Sequence, residues 1–318
     1  MKTILFTGML VLAAASHAQT YPTKPVRLVV PFAPGGSSTI VARSVATEME
    51  KALGQSIVIE NKGGGGGNPA MQDVARADPD GYTLLITHIG SLALNPYLYS
   101  NLPFDVNRDF VHISLLAKVP NIFVVHADVP AKSVKELVAL AKAKPGELYY
   151  GSAGNGSAGH LAMEYLKLVT GMQLQHVPYK GTGPNLVDLV AGRTHATSAG
   201  TPPLMPHVRA GKLRVIGVGS PRRLSSIPDA PTIAEQGFAG FETSQWYGLS
   251  APAKTPDAVV KRLAMEAAKA AKSPAVVERY KADDAEAVGS TPQEYADFVA
   301  KEQARWKDVI QRANIKID

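Results

Sequence analysis

Three short segments rich in glycine and small polar residues are the parts of this sequence best suited to bind a ligand. They span residues 33–39, 152–160 and 179–184, and each follows a predicted strand and precedes a predicted helix. In open α/β sheets, ligands bind at the carboxyl ends of strands, where helix N-termini present unpaired N–H groups and a positive dipole end. Glycine lets the backbone approach closely, and small hydroxyls add donors. This chemistry suits an anion.

Binding at micromolar strength requires several such donors to converge. One hydrogen bond to a charged group contributes about 1.5–3 kcal/mol, whereas micromolar affinity requires about 8 kcal/mol. Each segment alone predicts only a turn. The three together supply enough donors for one shared site.

Catalytic and cofactor motifs give little support to an enzyme. Residues 154–159 match G-x-G-x-x-G in the context of a dinucleotide fingerprint, but residues 178–180, at the end of the next strand, contain no acid to hold a ribose. No G-x-S-x-G, H-E-x-x-H or phosphate-loop motif occurs, and the histidines lack metal-ligand spacing. We therefore expect no cofactor and no metal. His88 is the one candidate base, although it suits ligand binding or a structural role equally well, and for His160 a structural role is favoured.

The composition indicates an exported protein that core burial alone stabilises. The chain has 318 residues and no cysteine, which excludes disulfides, thiol chemistry and a lipid-modified cysteine. Residues 1–18 combine a positive start, an apolar run and small residues before Gln19, as is typical of a cleaved signal peptide. The net charge of +6 comes from scattered lysines and arginines, which argues against nucleic acid as a partner.

Strand-like and helix-like segments alternate after the signal peptide and indicate βαβ units. The predicted strands cover residues 26–30, 56–60, 83–87, 148–152, 173–178, 194–198 and 213–219. The predicted helices cover residues 40–53, 69–77, 133–144, 158–169, 183–191 and 255–272. Capping boxes occur at residues 133–136, 232–235 and 291–294, and each predicts the start of a helix.

Two further patterns have both a structural and a functional interpretation. An apolar stripe at helical spacing predicts core packing in preference to a partner surface. Its members are Tyr295, Phe298, Val299, Trp306, Val309 and Ile310. The five glycines at residues 63–67 fit either an anion cradle or a tolerant surface loop.

Many short motifs together resemble the tripartite tricarboxylate transporter receptors, also called Bug receptors. The resemblance covers essentially the whole mature chain. The motifs are residues 21–22 (YP), 31–36 (PFAPGG), 42–43 (AR), 58–61 (VIEN), 80–85 (DGYTLL), 95–96 (NP), 150–152 (YGS), 160–162 (HLA), 177–184 (VPYKGTGP), 210–214 (AGKLR), 231–232 (PT) with Glu235 and Gly237, and 246–249 (WYGL).

The resemblance implies an α/β periplasmic binding protein of the Venus-flytrap type II class, with two lobes and two crossings between them. Each lobe would be a mainly parallel sheet flanked by helices. Lobe one would comprise residues 19–123 and 246–318, and lobe two residues 124–245. Family members bind carboxylates, amino acids, or small aromatic acids and amides in the cleft between the lobes. Some deliver the ligand to a membrane permease.

We therefore expect a non-catalytic, monomeric periplasmic protein that captures a small carboxylate-type ligand for a tripartite tricarboxylate-type transporter. Hinge closure around the ligand would be its mechanism, because a ligand that bridges both lobes favours the closed state. The alternatives are an extracytoplasmic sensor or adaptor without a dedicated permease, and a small-substrate enzyme on the same fold.

The candidate ligand contacts would donate hydrogen bonds to carboxylate oxygens, directly or through water. They are Gly35, Gly36, Ser37, Ser38, Thr39, His88, Ser91, Ser152, Asn155, Gly156, Ser157 and Tyr179. Thr39 stands where the family usually has aspartate, and residues 199–201 lack the frequent Asp-Asn pair of the family. Losing carboxylates at two cleft positions makes a ligand with an ammonium group less suited to this chain.

Overall fold

The computed structural model describes residues 21–313, with side chains through residue 311. The predicted signal peptide, residues 1–18, lies outside this range. The strands are β1 Val26–Val30, β2 Ile57–Asn61, β3 Thr83–His88, β4 Phe110–His126, β5 Tyr149–Ser152, β6 Gln175–Pro178, β7 Ala196–Gly200, β8 Leu213–Val218, β9 Ser244–Pro252 and β10 Glu286–Ala287. The helices are α1 Ser37–Leu53, α2 Asn68–Ala75, α3 Asn95–Leu98, α4 Val134–Ala143, α5 Ala158–Thr170, α6 Thr182–Val190, α7 Thr201–Arg209, α8 Asp257–Ala271, α9 Pro274–Lys281 and α10 Pro292–Ala313.

Two long strands join the two parts of the sheet. The strand order is β2-β1-β3-β9-β4-β7-β5-β6, and β8 and β10 also pair with β4. Strand β4 pairs with β9 from Phe110 to Pro120, and with β7 from Asn121 onward. We call the elements around β1, β2, β3, β9, β10 and the first part of β4 lobe one, and the elements around β5 to β8 and the rest of β4 lobe two.

The predicted two-lobed α/β class is confirmed. The short strands pair in parallel within each lobe, as in β2-β1-β3 and β7-β5-β6, whereas the long strands β4 and β9 add antiparallel pairs. The change of partner along β4 at Pro120 lies three residues from the predicted lobe boundary at residue 123, and β9 begins two residues before the predicted return at residue 246. The boundaries themselves stay a prediction.

Helices cover both faces of each lobe. In lobe one, α1 and α8 pack on one face of the sheet, and α2 and α10 pack on the other. In lobe two, α4 and α5 cover one face, and α6 and α7 cover the other. None of these helices, within the described range, is long and apolar enough to cross a bilayer.

The apolar stripe of α10 packs into the core of lobe one. Tyr295, Val299, Trp306 and Ile310 are all at most 4% exposed. Burying one such side chain fully contributes about 1.5–3 kcal/mol. The core interpretation of the stripe is confirmed, and the partner-surface interpretation is wrong.

Two of the predicted helix starts differ from the structure in an informative way. Helix α1 begins at Ser37, three residues earlier than predicted, which brings its N-terminus to the glycine pair of the first segment. At Thr232 and Glu235 the capping box forms, with Glu235 N–H donating to Thr232 Oγ1 at 3.0 Å, but only a turn follows. Gly237 takes a left-handed conformation with φ 102°, so the chain leaves the helical path.

Candidate functional site

A narrow cavity lies between the lobes at the carboxyl ends of several strands. Its volume is about 20 Å³, which is room for a water molecule or two, since a buried water needs roughly 10–15 Å³. The lobes are therefore closed on one another in this structure. The lining residues are Phe32, Ser37, Ser38, His88, Ala153, Ser157, Ala158, Gly159, Thr182, Ser198, Ala199, Gln245 and Tyr247.

Three helix N-termini meet at this cavity. Ser37 and Ser38 are the first residues of α1, Thr182 is the first of α6, and Ser157 is the N-cap of α5. The glycines that precede α1 and α6 supply no side-chain cap. Since the first N–H groups of a helix lack intrahelical partners, these termini present donors and positive dipole ends to an anion in the cavity.

His88 is held as a neutral hydrogen-bond donor at the end of β3. Its Nδ1 accepts a hydrogen bond from the Gly90 N–H at 2.9 Å. Burial lowers its pKa to about 3, so the ring is neutral at pH 7. A neutral imidazole that accepts through Nδ1 carries its proton on Nε2. That Nε2 is buried and has no hydrogen-bond partner within residues 21–311.

Ser198 places a second unpaired polar atom on the same cavity, from the other lobe. It lies in β7 and is 2% exposed, and its Oγ also lacks a partner among the described residues. Gly159 packs directly on Ser198, because a Cβ at residue 159 would overlap the Ser198 carbonyl oxygen. Buried polar groups normally find partners, so two residues with unpaired polar atoms in the lining of one cavity make it the candidate binding site.

Strand β9 contributes a hydrogen-bonded pair to the floor of the cavity. The Tyr247 hydroxyl donates to Gln245 Oε1, and Gln245 Nε2 donates to Asn121 Oδ1 at 2.6 Å. Burial raises the pKa of Tyr247, so the phenol stays protonated. Because Gln245 lies at the start of β9 and Asn121 at the change of partner along β4, this pair connects the cavity to the strands that join the lobes.

No lysine, arginine, aspartate or glutamate lines the cavity in the part of the chain that the structure describes. An anion here would be bound by N–H and O–H groups and helix dipoles instead of by an ion pair. An ammonium group would find no carboxylate. Within the same residues, no group of three or more histidine, aspartate or glutamate side chains could hold a metal ion.

Comparison with known proteins places the chain in a family. The sequence model of the tripartite tricarboxylate transporter family receptors matches residues 41–315. This chain belongs to that family. The receptor is 35% identical to protein BugT of Bordetella pertussis, over 98% of this chain and 96% of BugT.

Two solved structures of family members contain carboxylates. The receptor is 38% identical to Rpa4515 of R. palustris, solved with adipate, with a TM-score of 0.90 over 93% of this chain and 100% of that one. It is 33% identical to MatC of Rhodopseudomonas palustris, solved with bound malate, with a TM-score of 0.88 over 91% of this chain and 100% of MatC. The Bug-receptor resemblance is confirmed, and the receptor is a two-lobed periplasmic solute-binding protein.

Four of the predicted contact residues line the cavity of this receptor. They are Ser37, Ser38, His88 and Ser157. The first two are placed by the early start of α1, and the third by the extension of β3. Their contact with a ligand stays a prediction.

The predicted glycines of the first segment lie beside the cavity, where the lobes touch. A Cβ at Gly35 would lie 3.1 Å from the Gly183 Cα, and one at Gly36 would lie 3.3 Å from the Thr182 side chain. Ala33 N–H donates to the Lys180 carbonyl at 2.9 Å nearby. These residues bring the first and third segments into direct backbone contact.

Three other predicted contacts hold neighbouring residues in place. Thr39 Oγ1 accepts from Asn61 Nδ2 at 2.8 Å, so the residue that replaces the family's aspartate faces β2. Ser91 Oγ donates to the His88 carbonyl at 3.0 Å and thereby supports the histidine. The Tyr179 hydroxyl donates to Asp188 at 2.7 Å, and burial raises its pKa to about 12.

The remaining predicted contacts belong to the second segment, and side chains of lobe two form hydrogen bonds with two of them. Ser152 Oγ lies 2.7 Å from His176 Nε2. Gly156 N–H donates to His160 Nδ1 at 3.3 Å, consistent with the structural role favoured for that histidine. Asn155 presents its backbone carbonyl to lobe one.

The glycine run at residues 63–67 packs against lobe two. Gly66 and Gly67 are buried and Gly65 is exposed, so the run is a surface loop only in part. A Cβ at Gly63 would overlap the Lys180 carbonyl oxygen, and one at Gly66 would overlap the Asn155 carbonyl oxygen. Only glycine lets these two parts of the chain approach so closely.

Several lining residues were missed at the sequence level. Ala153, Ala158, Gly159 and Thr182 lie within the predicted segments but were not selected. The others lie outside them and are Phe32, Ser198, Ala199, Gln245 and Tyr247. A lone serine in the small-residue strand β7 was the signal available for Ser198, and the WYGL motif was the signal for Tyr247.

Proposed function

We propose that this receptor captures a small organic carboxylate between its lobes and releases it unchanged. The unpaired Nε2 of His88 in lobe one and the unpaired Oγ of Ser198 in lobe two support this function most strongly, because both line one buried cavity. A carboxylate oxygen that accepts from both would give each buried donor a partner and link the lobes.

Ser37, Ser38, Ser157 and Thr182 complete the proposed contacts with the helix N-termini that they begin or cap. Hydrogen bonds to a charged group contribute about 1.5–3 kcal/mol each, so four or five of them account for micromolar affinity. The other predicted contact residues would act by shaping or closing the cleft. Adipate in Rpa4515 and malate in MatC support a carboxylate for this receptor too.

The cavity supports a carboxylate in preference to an amino acid. Its described lining contains no acidic side chain that would pair with an ammonium group, and burying an unpaired charge is costly. A ligand larger than water would be admitted by rotation of the lobes about β4 and β9. We place the lobe boundaries at residues 123 and 246 accordingly.

Binding without catalysis is favoured over an enzyme by the state of His88. A general base works best with a pKa near the working pH, whereas burial lowers the pKa of His88 to about 3. Its Nδ1 lone pair is also engaged by the Gly90 N–H. His88 is therefore suited to donate a hydrogen bond and poorly suited to remove a proton.

We further propose that residues 1–18 are removed on export and that the mature receptor is a monomer without a lipid anchor. Its closed, loaded form would deliver the ligand to a permease of the tripartite tricarboxylate type. Co-purification of the loaded receptor with permease subunits tests this step. Capture of a signalling membrane protein instead would support the sensor function, which uses the same cleft.

A calorimetric screen with one matched variant tests the proposed binding. Succinate, malate, adipate, benzoate, glutamate and lysine are titrated into the mature receptor. A true ligand at 100 times its Kd adds about 2.7 kcal/mol to the stability, so thermal shift gives an independent readout. We expect carboxylates without an ammonium group to bind. Ser198→Ala should lower the affinity for them about tenfold or more.

Ser56→Ala is the matched control, because Ser56 is exposed and lies outside the cavity lining. Its affinity should equal that of the unaltered receptor. Tighter binding of the amino acids than of the plain carboxylates would contradict the ligand class. Equal affinity in the Ser198 and Ser56 variants would remove Ser198 from the site.

A further inference from the structure

A second pocket lies in lobe two, at the amino ends of β5 and β7 and away from the cleft. Its volume is about 410 Å³, within the range of about 300–1,000 Å³ that is usual for small-molecule sites. Strands β5 and β7, of four and five residues, run from this pocket to the cleft. At about 3.3 Å per residue, the pocket and the cleft are roughly 15 Å apart. The polar lining comes from His126, Asp128, Lys144, Thr194 and His195, and the apolar wall includes Leu140 and Leu148.

Both histidines of this distal pocket are set as donors by the backbone. His126 Nδ1 accepts from the Asp128 N–H at 3.3 Å, and His195 Nδ1 accepts from the Tyr149 N–H at 3.0 Å. A neutral imidazole that accepts through Nδ1 carries its proton on Nε2. The His195 ring is also stacked on Tyr149, at 5.9 Å between ring centroids. Two fixed imidazole rings therefore offer N–H donors at the pocket.

Thr194 adds a buried hydroxyl group to the same lining. The residue is 2% exposed, and its Oγ1 has no partner within the described part of the chain. A ligand oxygen in the pocket would supply the missing bond.

The charges around the distal pocket also favour an anion. Lys144 forms no ion pair with any residue the structure describes. Desolvation is the largest cause that lowers the pKa of His195, and the charge of Lys144 adds to it, which places these two groups close together. Asp128 is the one carboxylate of the described lining; its Oδ2 lies 3.7 Å from His126 Nδ1, and its side chain is 92% exposed, so it stays hydrated.

We propose that the distal pocket is a second binding site, which takes a small organic acid with one carboxylate and an apolar body. The carboxylate would accept from Thr194 Oγ1, the imidazole Nε2–H groups and Lys144. The apolar body would pack on Leu140 and Leu148. A site of this kind lets lobe two bind a ligand independently of cleft closure.

Benzoate is a suitable probe, and benzamide is its uncharged counterpart. Histidine side-chain NMR signals of the whole mature receptor are followed during each titration. We expect saturable shifts of the His126 and His195 signals with benzoate, and binding of benzamide at least tenfold weaker. The absence of a saturable shift by about 10 mM benzoate would overturn the proposal.

Two variants and two controls identify the groups involved. Thr194→Val keeps the shape of the side chain and removes the hydroxyl, and Lys144→Gln removes the charge. Each variant should lower the affinity for benzoate at least fivefold. Lys142→Gln changes an exposed lysine on the same helix and outside the lining, and should leave the affinity unchanged. Ser198→Ala alters the cleft alone and should also leave the His195 response unchanged.

Each contrary result has a definite meaning. An unchanged benzoate affinity in Thr194→Val with a higher melting temperature would make the threonine a merely unsatisfied core residue and overturn the proposal. Loss of the His195 response in Ser198→Ala would show that benzoate acts through the cleft, and would equally overturn a distinct site.

Discussion

The phenol of Tyr99 in lobe one donates a 3.1 Å hydrogen bond to the backbone carbonyl of Asn155 in lobe two. Gly66 belongs to the same contact, since a Cβ there would overlap that carbonyl and lie 2.9 Å from the Tyr99 hydroxyl. A hydrogen bond of this kind contributes about 0.5–1.5 kcal/mol. Because it connects the two lobes, it stabilises the closed state without touching the cavity.

Replacing Tyr99 with phenylalanine should weaken ligand binding by about two- to tenfold, because the closed state loses this bond while the open state does not. Calorimetry with the best carboxylate of the screen measures the change. Tyr97→Phe, a partly exposed tyrosine in α3 two residues earlier, is the control and should bind normally. Equal affinities in the two variants would contradict a role of the bond in closure.

Gly183→Ala should hold the lobes apart. The residue lies in α6, where alanine is favoured over glycine by about 1 kcal/mol. A Cβ there would overlap the carbonyl oxygen of Pro34 across the cleft. We expect a stable fold, a larger radius of gyration by small-angle scattering, and affinity reduced at least tenfold. The exposed Val187→Ala on the same helix should change none of these, and a compact, fully active Gly183 variant would contradict the contact.

Asp284 forms a second connection between the lobes, beside the joining strands. Its carboxylate accepts from the backbone N–H groups of Ser225 at 2.8 Å and Ser226 at 3.0 Å. Asp284→Ala should therefore shift the receptor toward the open state and raise the ligand Kd severalfold. Asp78→Ala, at an exposed position in lobe one, serves as the control. Identical scattering profiles for both variants would count against this connection.

Stability should fall as the pH drops from about 6.5 to about 4. Desolvation lowers the pKa of His112 and His160 to about 4 and that of His88 and His176 to about 3. Between those values and the ordinary pKa of histidine, the unfolded chain binds more protons than the folded chain. The stability that these neutral rings contribute is therefore complete above about pH 6.5 and is lost progressively as the pH falls toward about 4 and then 3.

Between its folded-state pKa and about pH 6.5, each such histidine adds about 1.4 kcal/mol per pH unit to the slope of the free energy of unfolding against pH. Urea unfolding at a series of pH values measures the total slope. His160→Gln should reduce it by the share of one proton, since a glutamine does not titrate. A flat stability between about pH 7 and pH 4.5 would contradict the burial of these rings as neutral groups.

The sequence predicts the short parallel strands and the loops of the site well, because local patterns determine both. Strand β1 matches its prediction residue for residue. The three glycine-rich segments meet between the lobes, as expected from the carboxyl ends of parallel strands. Ser37, Ser38 and Ser157 line the cavity because these loops carry them there, and His88 reaches it from the end of β3.

The long joining strands β4 and β9 were not predicted. Pro120 interrupts β4, and Gly248 lies inside β9, and both residues normally argue against a strand interior. Tertiary packing explains the glycine, since a Cβ there would overlap the Tyr295 ring. Gln245 and Tyr247 were missed for the same reason, because they reach the cavity only through pairing with residues more than 100 positions earlier.

The state of His88 could not be read from the sequence either. Its neutrality depends on complete burial, and its free Nε2 depends on the turn that directs the Gly90 N–H to Nδ1. Both are properties of the folded chain. The sequence identified the residue, and the structure shows which of its two nitrogens the backbone engages and which is left without a partner among the described residues.

The position of β9 between β3 and β4 has a consequence for how the molecule assembles. Strand β9, which joins β3 to β4 in the sheet of lobe one, is made only after all the strands β5 to β8 of lobe two. Lobe two can therefore form its sheet while lobe one still has a gap at its centre. Folding of lobe one must therefore wait for the last quarter of the chain, which supplies β9 and then α8, α9, β10 and α10.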